Sequence, residues 1–219
     1  MKKINIAFFT DSYKPNKDGV VVAIELLRKY LKHYKGFVKL IVCPKNDNDK
    51  FIEIEDGTKI IKVGGIPLPF YKDYVVAFIT SSFAATLMKE EKINMLHSHG
   101  IGFTALSSVI AAKKIGIKSI ITFHTNVLQA THYLGIFEKP IRYFLTLYIR
   151  YLLNLYDVVI VPSKKIKRLL KNIGVKKNIF IIPTGIEVSD VANNKRDVKK
   201  EKELKKIKGK SIVILFVEE

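Results

Sequence analysis

The sequence predicts an α/β fold, a doubly wound parallel sheet with helices on both faces, and three observations carry that prediction. Short apolar runs alternate in strict succession with segments of helical periodicity, as in "INIAFF" followed by Val20, Ala23, Ile24, Leu27 and Leu31. The first of these runs, like several others, is apolar almost throughout, as strands buried on both faces are. Strand-helix-strand crossovers are right-handed, so the strands run parallel and present their carboxyl ends along one edge.

Taken in order, Ile4 to Phe9 is the first strand, and the helix after it carries Glu25, Arg28, Lys29 and Lys32 on its polar face. "FVKLIVCP" is the second strand, ended by Pro44. "FIEIEDGTKIIKVGG" reads as a short hairpin-like pair around Asp56 and Gly57, or as two irregular strands. A helix is expected from about Tyr74 to Lys89, before the strand "INMLHSH". A small-residue helix from Gly102 to Ile115 leads to the strand "KSIITFH". "EKPIRYFLTLYIRYLLNLY" is a long helix with Pro140 in its first turn, where proline costs least. It feeds the strand "DVVIVPS", whose Ser163 can cap the helix "KKIKRLLKNIG" closed by Gly174, and the strand "NIFIIPTG" follows.

Composition bounds the function. At 219 residues and 48% hydrophobic content, the chain can bury a sizeable core. One cysteine, Cys43, excludes an internal disulfide and a Cys-rich zinc framework, which fits a reducing compartment. The apolar start meets Thr10 and Asp11 too soon for a secretory signal, and the longest soft run, Tyr74 to Met88, is too short to span a bilayer. A cytoplasmic protein is expected. The net charge of +18 attracts polyanions, whether nucleic acid, acidic lipid or phosphorylated metabolites, without choosing among them; a lysine-rich surface with no partner explains it equally well. More than half of the excess lies between Lys164 and Lys210, where 16 Lys/Arg face 5 Asp/Glu.

Ligands in doubly wound sheets bind outside the carboxyl ends of the strands, at the point where the winding direction switches. Three stretches follow strands directly: the loop Thr10 to Gly19, "HSHG" (His97 to Gly100) and "FHTN" (Phe123 to Asn126). They are expected to converge. The first is ten residues long where roughly 2 to 6 suffice, which suits a cleft wall. Gly19, opening a helix, can let backbone N–H groups approach an anion, or is an ordinary loop glycine. Asp18 beside it would repel a phosphate and is expected to cap the helix instead. Asp11 either holds an incoming hydroxyl or satisfies backbone donors in its own turn. His97 reads as a packing residue, whereas His99 and His124, at strand ends, are expected to face the crevice. The H-x-H spacing lacks a nearby carboxylate or cysteine to complete a zinc set, so no metal is expected. There is no G-x-G-x-x-G, no G-K-[ST] and no G-x-S-x-G elbow.

"FFTDSYKPNKDGVVVAI", "INMLHSHG", "SIITFHTN", "YDVVIVPSKKI" and "IFIIPTGIE", in this order and spacing, resemble the amino-terminal, acceptor-side half of glycosyltransferase family 4, retaining nucleotide-sugar enzymes of GT-B fold. The lipid-directed members, phosphatidylinositol mannosyltransferases and diacylglycerol glucosyltransferases, share the opening pattern. The resemblance implies a Rossmann-like domain, a UDP- or GDP-sugar as donor substrate and no cofactor. It places Gly19 and Val20 beside the donor diphosphate and acceptor, and His124 at the donor sugar as the catalytic residue. Thr125 falls on the acceptor, His99 and Gly100 line the same cleft, and Arg142 is the candidate grip on an acceptor phosphate. Retention is then expected by same-face attack, the leaving diphosphate taking the acceptor's proton, with no protein nucleophile.

The resemblance further implies a domain over residues 1–187, a lysine-rich linker over 188–210 and, in 211–219, the first strand of a second, donor-binding domain. In the family that strand continues into a basic diphosphate-binding loop, whereas here the sequence reads Glu218-Glu219. A truncated or shifted reading frame and an acceptor half working with a separate donor-binding chain are the two expectations. The enzyme is expected at the inner face of the membrane as a peripheral protein. The other reading is a non-catalytic basic protein that keeps the fold and binds nucleic acid or anionic membrane, although nucleic acid is not the partner that the resemblance implies.

Overall fold

The computed structural model describes residues 4–34, 36–45, 49–68, 71–124 and 138–185. The chain divides into two units, Met1–Thr184 and Gly185–Glu219. The second, apart from Gly185, lies outside the described residues, and so do Glu187, the 188–210 linker, the 211–219 strand, Thr125 and Asn126.

The first unit is built on an eight-stranded sheet. Its strands are β1 (Ile4–Thr10), β2 (Gly36–Pro44), β3 (Ile52–Glu55), β4 (Thr58–Val63), β7 (Met95–His99), β8 (Lys118–Thr122), β9 (Val158–Val161) and β10 (Asn178–Ile181). They lie in the order β10-β9-β8-β7-β1-β2-β4-β3, all parallel except β3, which runs antiparallel to β4. Asp56 and Gly57 join that pair with φ of 50° and 74°, the two positive values a tight hairpin turn requires. The predicted hairpin alternative is the one formed. β1 sits at the centre. The chain winds from it to β2 and β4 on one side and to β7, β8, β9 and β10 on the other, so the switch point lies between β1 and β7.

Helices α1 (Gly19–Leu31), α2 (Ser81–Glu90), α3 (Phe103–Ile115), α4 (Glu138–Leu155) and α5 (Lys164–Asn172) cover the sheet. Alternate residues of β1 feed two cores. Ile6 and Phe8 pack with Ile24 of α1, Val38, Ile41 and Cys43. Ala7 and Phe9 join the larger cluster built from α2, α3, α4 and the strands β7 to β10. A strand that supplies two cores is apolar on both faces, which explains the consecutive apolar residues Ile6 to Phe9.

Two departures from the sequence reading have plain causes. Residues Tyr71–Ala77 are a strand, β6, paired antiparallel with β5 (Gly65–Leu68) as a separate two-stranded sheet, where a helix was expected from Tyr74. The aromatic and β-branched content of "YKDYVVA" favours a strand, and the helix begins only at Ser81, where the Thr80 hydroxyl caps Phe83 N–H at 3.2 Å. Gly65 admits β6 closely, since a Cβ there would lie 2.2 Å from the Val76 carbonyl oxygen. Arg28, expected on a polar face, is 7% exposed. Its guanidinium donates to the Tyr13 hydroxyl at 2.8 Å and pairs with Glu25 at 2.9 Å and Glu55 at 3.5 Å. Lys14 bridges the same two glutamates at 2.9 Å each. This network fastens the long first loop to α1 and to the β3-β4 turn.

Candidate functional site

The carboxyl ends of β1, β7 and β8 form the rim. At their closing register Thr10 stands beside His99 and His99 beside Thr122, which brings together the strand ends from which the three predicted stretches leave. Asp11 N–H continues the β1 ladder by donating to the His99 carbonyl at 3.3 Å.

Asp11 spans the switch point. Its Oδ2 accepts the Gly102 N–H at 2.7 Å and its Oδ1 the Thr104 hydroxyl at 2.5 Å. Gly102, the N-cap of α3, has no side chain to satisfy its helix end, so a carboxylate 91 residues away does so and complements the helix dipole. Asp11 therefore satisfies backbone donors, as one of its two expected roles has it, but those of another element rather than of its own turn. Room for it is made by glycine. A Cβ on Gly100, whose φ is +122°, would lie 2.1 Å from Asp11 Oδ2, and one on Gly102 would lie 2.5 Å from Oδ1. Burial pushes the Asp11 carboxyl above its usual value, while the bonds from Thr104 and Gly102 pull it back. Tyr148 of α4 buttresses the turn by donating to the Ile101 carbonyl at 2.7 Å.

The first loop folds on itself. Asp18 caps α1 as expected, its Oδ1 accepting Val20 N–H at 2.8 Å and Val21 N–H at 2.9 Å. Its Oδ2 takes the Ser12 hydroxyl, which also accepts from Asn16 at 3.3 Å. Gly19 stands in open space, with no atom within 4 Å of the place a Cβ would occupy. The Val20 N–H, expected beside a diphosphate, is thus engaged by a carboxylate in this arrangement.

Three imidazoles line the α1 side of the rim. His97 and His99 are two apart on β7 and so share a face, their ring centroids 4.2 Å apart, with Phe8 edge-on to both. His97 is held by Thr122, Nε2 to Oγ1 at 2.7 Å. His99 is 1% exposed and its Nδ1 lies 3.0 Å from Nε2 of His124, which is half-buried and stacked on it. His99 does not open to the crevice as expected; it stands behind His124. Its Nε2 is buried without a partner among the described residues. An orphaned buried N–H is rarer than an orphaned acceptor, so the His99 proton belongs on Nδ1, donated to His124 Nε2. His124 then carries its own proton on Nδ1. Burial lowers all three, His97 to about 3 and His99 well below the ordinary imidazole value, while the Asp18 carboxylate holds His124 partly back. All three are neutral at pH 7.

Ser98, between the two histidines, points to the other face and meets Tyr156. That tyrosine is fully buried, with its hydroxyl 2.8 Å from Ser98 Oγ and 2.7 Å from the Ala105 carbonyl. β7 is thereby fixed from both sides. Ser98, Thr104, Thr122, Tyr148 and Tyr156 escaped sequence reasoning; for Ser98 the signal that could have found it is the alternation in "HSH", which puts the serine on the face opposite the two histidines. Arg142 is not among the rim contacts; it lies half-exposed on α4, 3.6 Å from Glu138 one turn before it. Cys43 is buried, with its thiol pushed up to about 12, which removes it as a nucleophile.

A doubly wound sheet with three loops gathered at its switch point is the architecture of one half of a GT-B glycosyltransferase, and solved structures with the same fold bear this out. Sucrose-phosphate synthase from Thermosynechococcus elongatus superposes with a TM-score of 0.61 at 15% identity, over 89% of this chain and 53% of that one. MnaA of S. aureus, solved with UDP, gives 0.51 at 16% identity, over 93% of this chain and 52% of that one. The chain belongs to Glycosyltransferase Family 4, whose family model matches residues 17–190. It is similar to the alpha-monoglucosyldiacylglycerol synthase of Streptococcus pneumoniae, 28% identical over 94% of this chain and 45% of that protein. It is also similar to the enzyme of the same name from Acholeplasma laidlawii, 26% identical over 84% and 47%. The chain spans about half the length of these curated relatives.

Proposed function

We propose that the chain is the acceptor-side half of a retaining glycosyltransferase that moves a hexose from a UDP- or GDP-sugar to a lipid of the diacylglycerol class. The observation that carries this reading is the pairing of His124 with His99 at the switch point, inside a family 4 domain similar to two glucosyldiacylglycerol synthases. A neutral imidazole with its proton on Nδ1 offers the donor sugar a hydrogen bond without adding a positive charge next to a carbon that becomes cation-like. Attack of the acceptor hydroxyl on the same face forms the new C–O bond as the bond to the diphosphate breaks. The acceptor's proton passes to the departing phosphate oxygen, so no side-chain nucleophile takes part. Stabilising that departing charge is the main catalytic demand, and in this reading the donor-binding domain, or a separate donor-binding chain, meets it. Gly19 gives the sugar and acceptor a side-chain-free wall, while Asp18 fixes the end of α1. Thr125 on the acceptor remains part of the proposal.

Attachment to the inner face of a membrane fits the first half of α4. Ile141, Tyr143 and Phe144 are exposed there beside Arg142, the mix of aromatic and basic residues that settles at an anionic interface. Among the described residues, no helix is long and apolar enough to cross a membrane.

The test joins residues 1–187 to the donor half of the pneumococcal relative and follows transfer of labelled hexose to diacylglycerol. Transfer is expected, and His124→Ala should lower kcat by about 100-fold or more, in the range of a lost transition-state contact. Unchanged turnover in His124→Ala, or no transfer by a folded fusion to any diacylglycerol acceptor, would overturn the reading.

A further inference from the structure

Beyond the histidine rim, the described residues form a cleft of about 510 Å³ with a mostly apolar lining at the β4 end of the sheet. We propose that this cleft takes an acyl chain of the lipid acceptor, an inference that rests on the diacylglycerol reading given above. Phe51, Ile52, Val63, Phe78, Ile79 and Phe83 line it, and Phe51, Ile52, Phe78 and Phe83 are each about half exposed or more. Aromatic side chains left in water and gathered round one groove mark a binding surface rather than scattered surface apolarity. The volume lies within the range of small-molecule sites, roughly 300 to 1,000 Å³.

Its place connects it to the chemistry. β4 runs parallel to β2, and β2 to β1, so Val63 ends on the same edge as Thr10 and His99. Phe103, the first residue of α3, packs against Phe78 with centroids 4.9 Å apart and the rings tilted by 37°. It directly follows Gly102, whose N–H is held by Asp11. An apolar track therefore leads from the switch point, over Phe103 and Phe78, into the cleft.

The lining also selects the occupant. Among the described lining residues the charged one is Lys62, nearly buried and tied to Asp49 at 3.1 Å and Glu53 at 3.2 Å, so its ammonium is not offered to a headgroup or phosphate. The Thr80 hydroxyl oxygen accepts the Phe83 N–H. A nucleobase or sugar would lose hydrogen bonds on entering, whereas a hydrocarbon chain loses none.

The experiment uses the full chain and a dioctanoylglycerol analogue with a diazirine at the end of one acyl chain, in solution without vesicles, with labelled peptides mapped by mass spectrometry. Labelling is expected in the peptides that carry Phe51, Phe78 and Phe83, and unlabelled diacylglycerol should compete it away. The competing concentration should fall about fourfold for each methylene added to the competitor, up to the length the cleft holds. Phe78→Ser and Phe83→Ser, both at exposed positions, should each cut labelling at least fivefold with an unchanged circular dichroism spectrum. Labelling confined to α4 or another surface overturns the cleft and leaves the lipid acceptor standing. Labelling of these peptides only when vesicles are present also overturns it, because the patch then meets the bilayer as a surface. No competed labelling anywhere overturns both the cleft and the lipid acceptor.

Discussion

The bond between Asp11 and the start of α3 makes a quantitative claim about stability. Replacing Asp11 with alanine leaves the Gly102 N–H and the nearly fully buried Thr104 hydroxyl without their partner. A buried donor left unmade costs about 1–3 kcal/mol. Two of them, plus the lost complement to the helix dipole, place the loss at roughly 2–7 kcal/mol. For a chain of this size each kcal/mol lowers Tm by about 2–4 °C. Thr104→Val removes one of the two bonds, so the pair is suited to a double-mutant cycle. Urea unfolding followed by circular dichroism on the wild type, Asp11→Ala, Thr104→Val and the double variant should give a coupling energy of at least about 1 kcal/mol. Additivity within about 0.3 kcal/mol would refute the claim that this carboxylate closes the helix end.

Acid should weaken the fold through the histidines. His97 and His99 are neutral in the native state with lowered pKa, so the unfolded chain binds more protons below about 6.5. Stability is complete above that value and falls with pH towards about 3 for His97. At 1.36 kcal/mol per pH unit per group, His97 alone costs about 2 kcal/mol between pH 6.5 and 5. Asp11, raised by burial, acts in the opposite direction, so the comparison to make is His97→Gln against wild type by urea titration at several pH values; equal slopes would contradict the burial of a neutral imidazole. Asp18→Ser keeps a capping oxygen on α1 and removes a charge from its end. Pyrophosphate, measured by calorimetry, should bind about fivefold tighter, matching about 1 kcal/mol of relieved repulsion near 4 Å in water, and weaker binding would mean that Asp18 does not guard that end. Tyr156→Phe strips the hydroxyl from Ser98 and Ala105 and should cost about 1–2 kcal/mol in urea, whereas a loss under about 0.3 kcal/mol would show the serines closing on each other instead.

Much of the layout was legible because it rests on periodicity along the chain. The doubly wound order, the Asp56-Gly57 turn, the Ser163 cap and the Asp18 cap all follow from neighbours within a few residues. What escaped depends on distant partners. Arg28 looks like a surface residue until Tyr13 and Glu55 converge on it, and Asp11 looks like a turn residue until α3 arrives 91 positions later. The strand at Tyr71–Ala77 was misjudged because an apolar run rich in alanine and phenylalanine satisfies helical and extended patterns alike, and only pairing with Gly65–Leu68 decides between them. His99 was expected at the crevice from its position at a strand end, but His124 lies over it, and that ring comes from the segment just after β8, 25 positions along the chain.

The central position of β1 has a consequence for how the molecule is made. β1 leaves the ribosome ahead of both its neighbours; it gains β2 on one side, but its other edge waits for β7. At about 5–20 residues per second, the stretch between Val63 and Met95 takes roughly 2 to 6 seconds to synthesise. Throughout that interval an apolar strand shows an unpaired row of backbone groups to every other nascent chain nearby. The newborn half-sheet is therefore most exposed to aggregation before the histidine strand arrives, and that same strand both completes the candidate catalytic rim and ends the hazard.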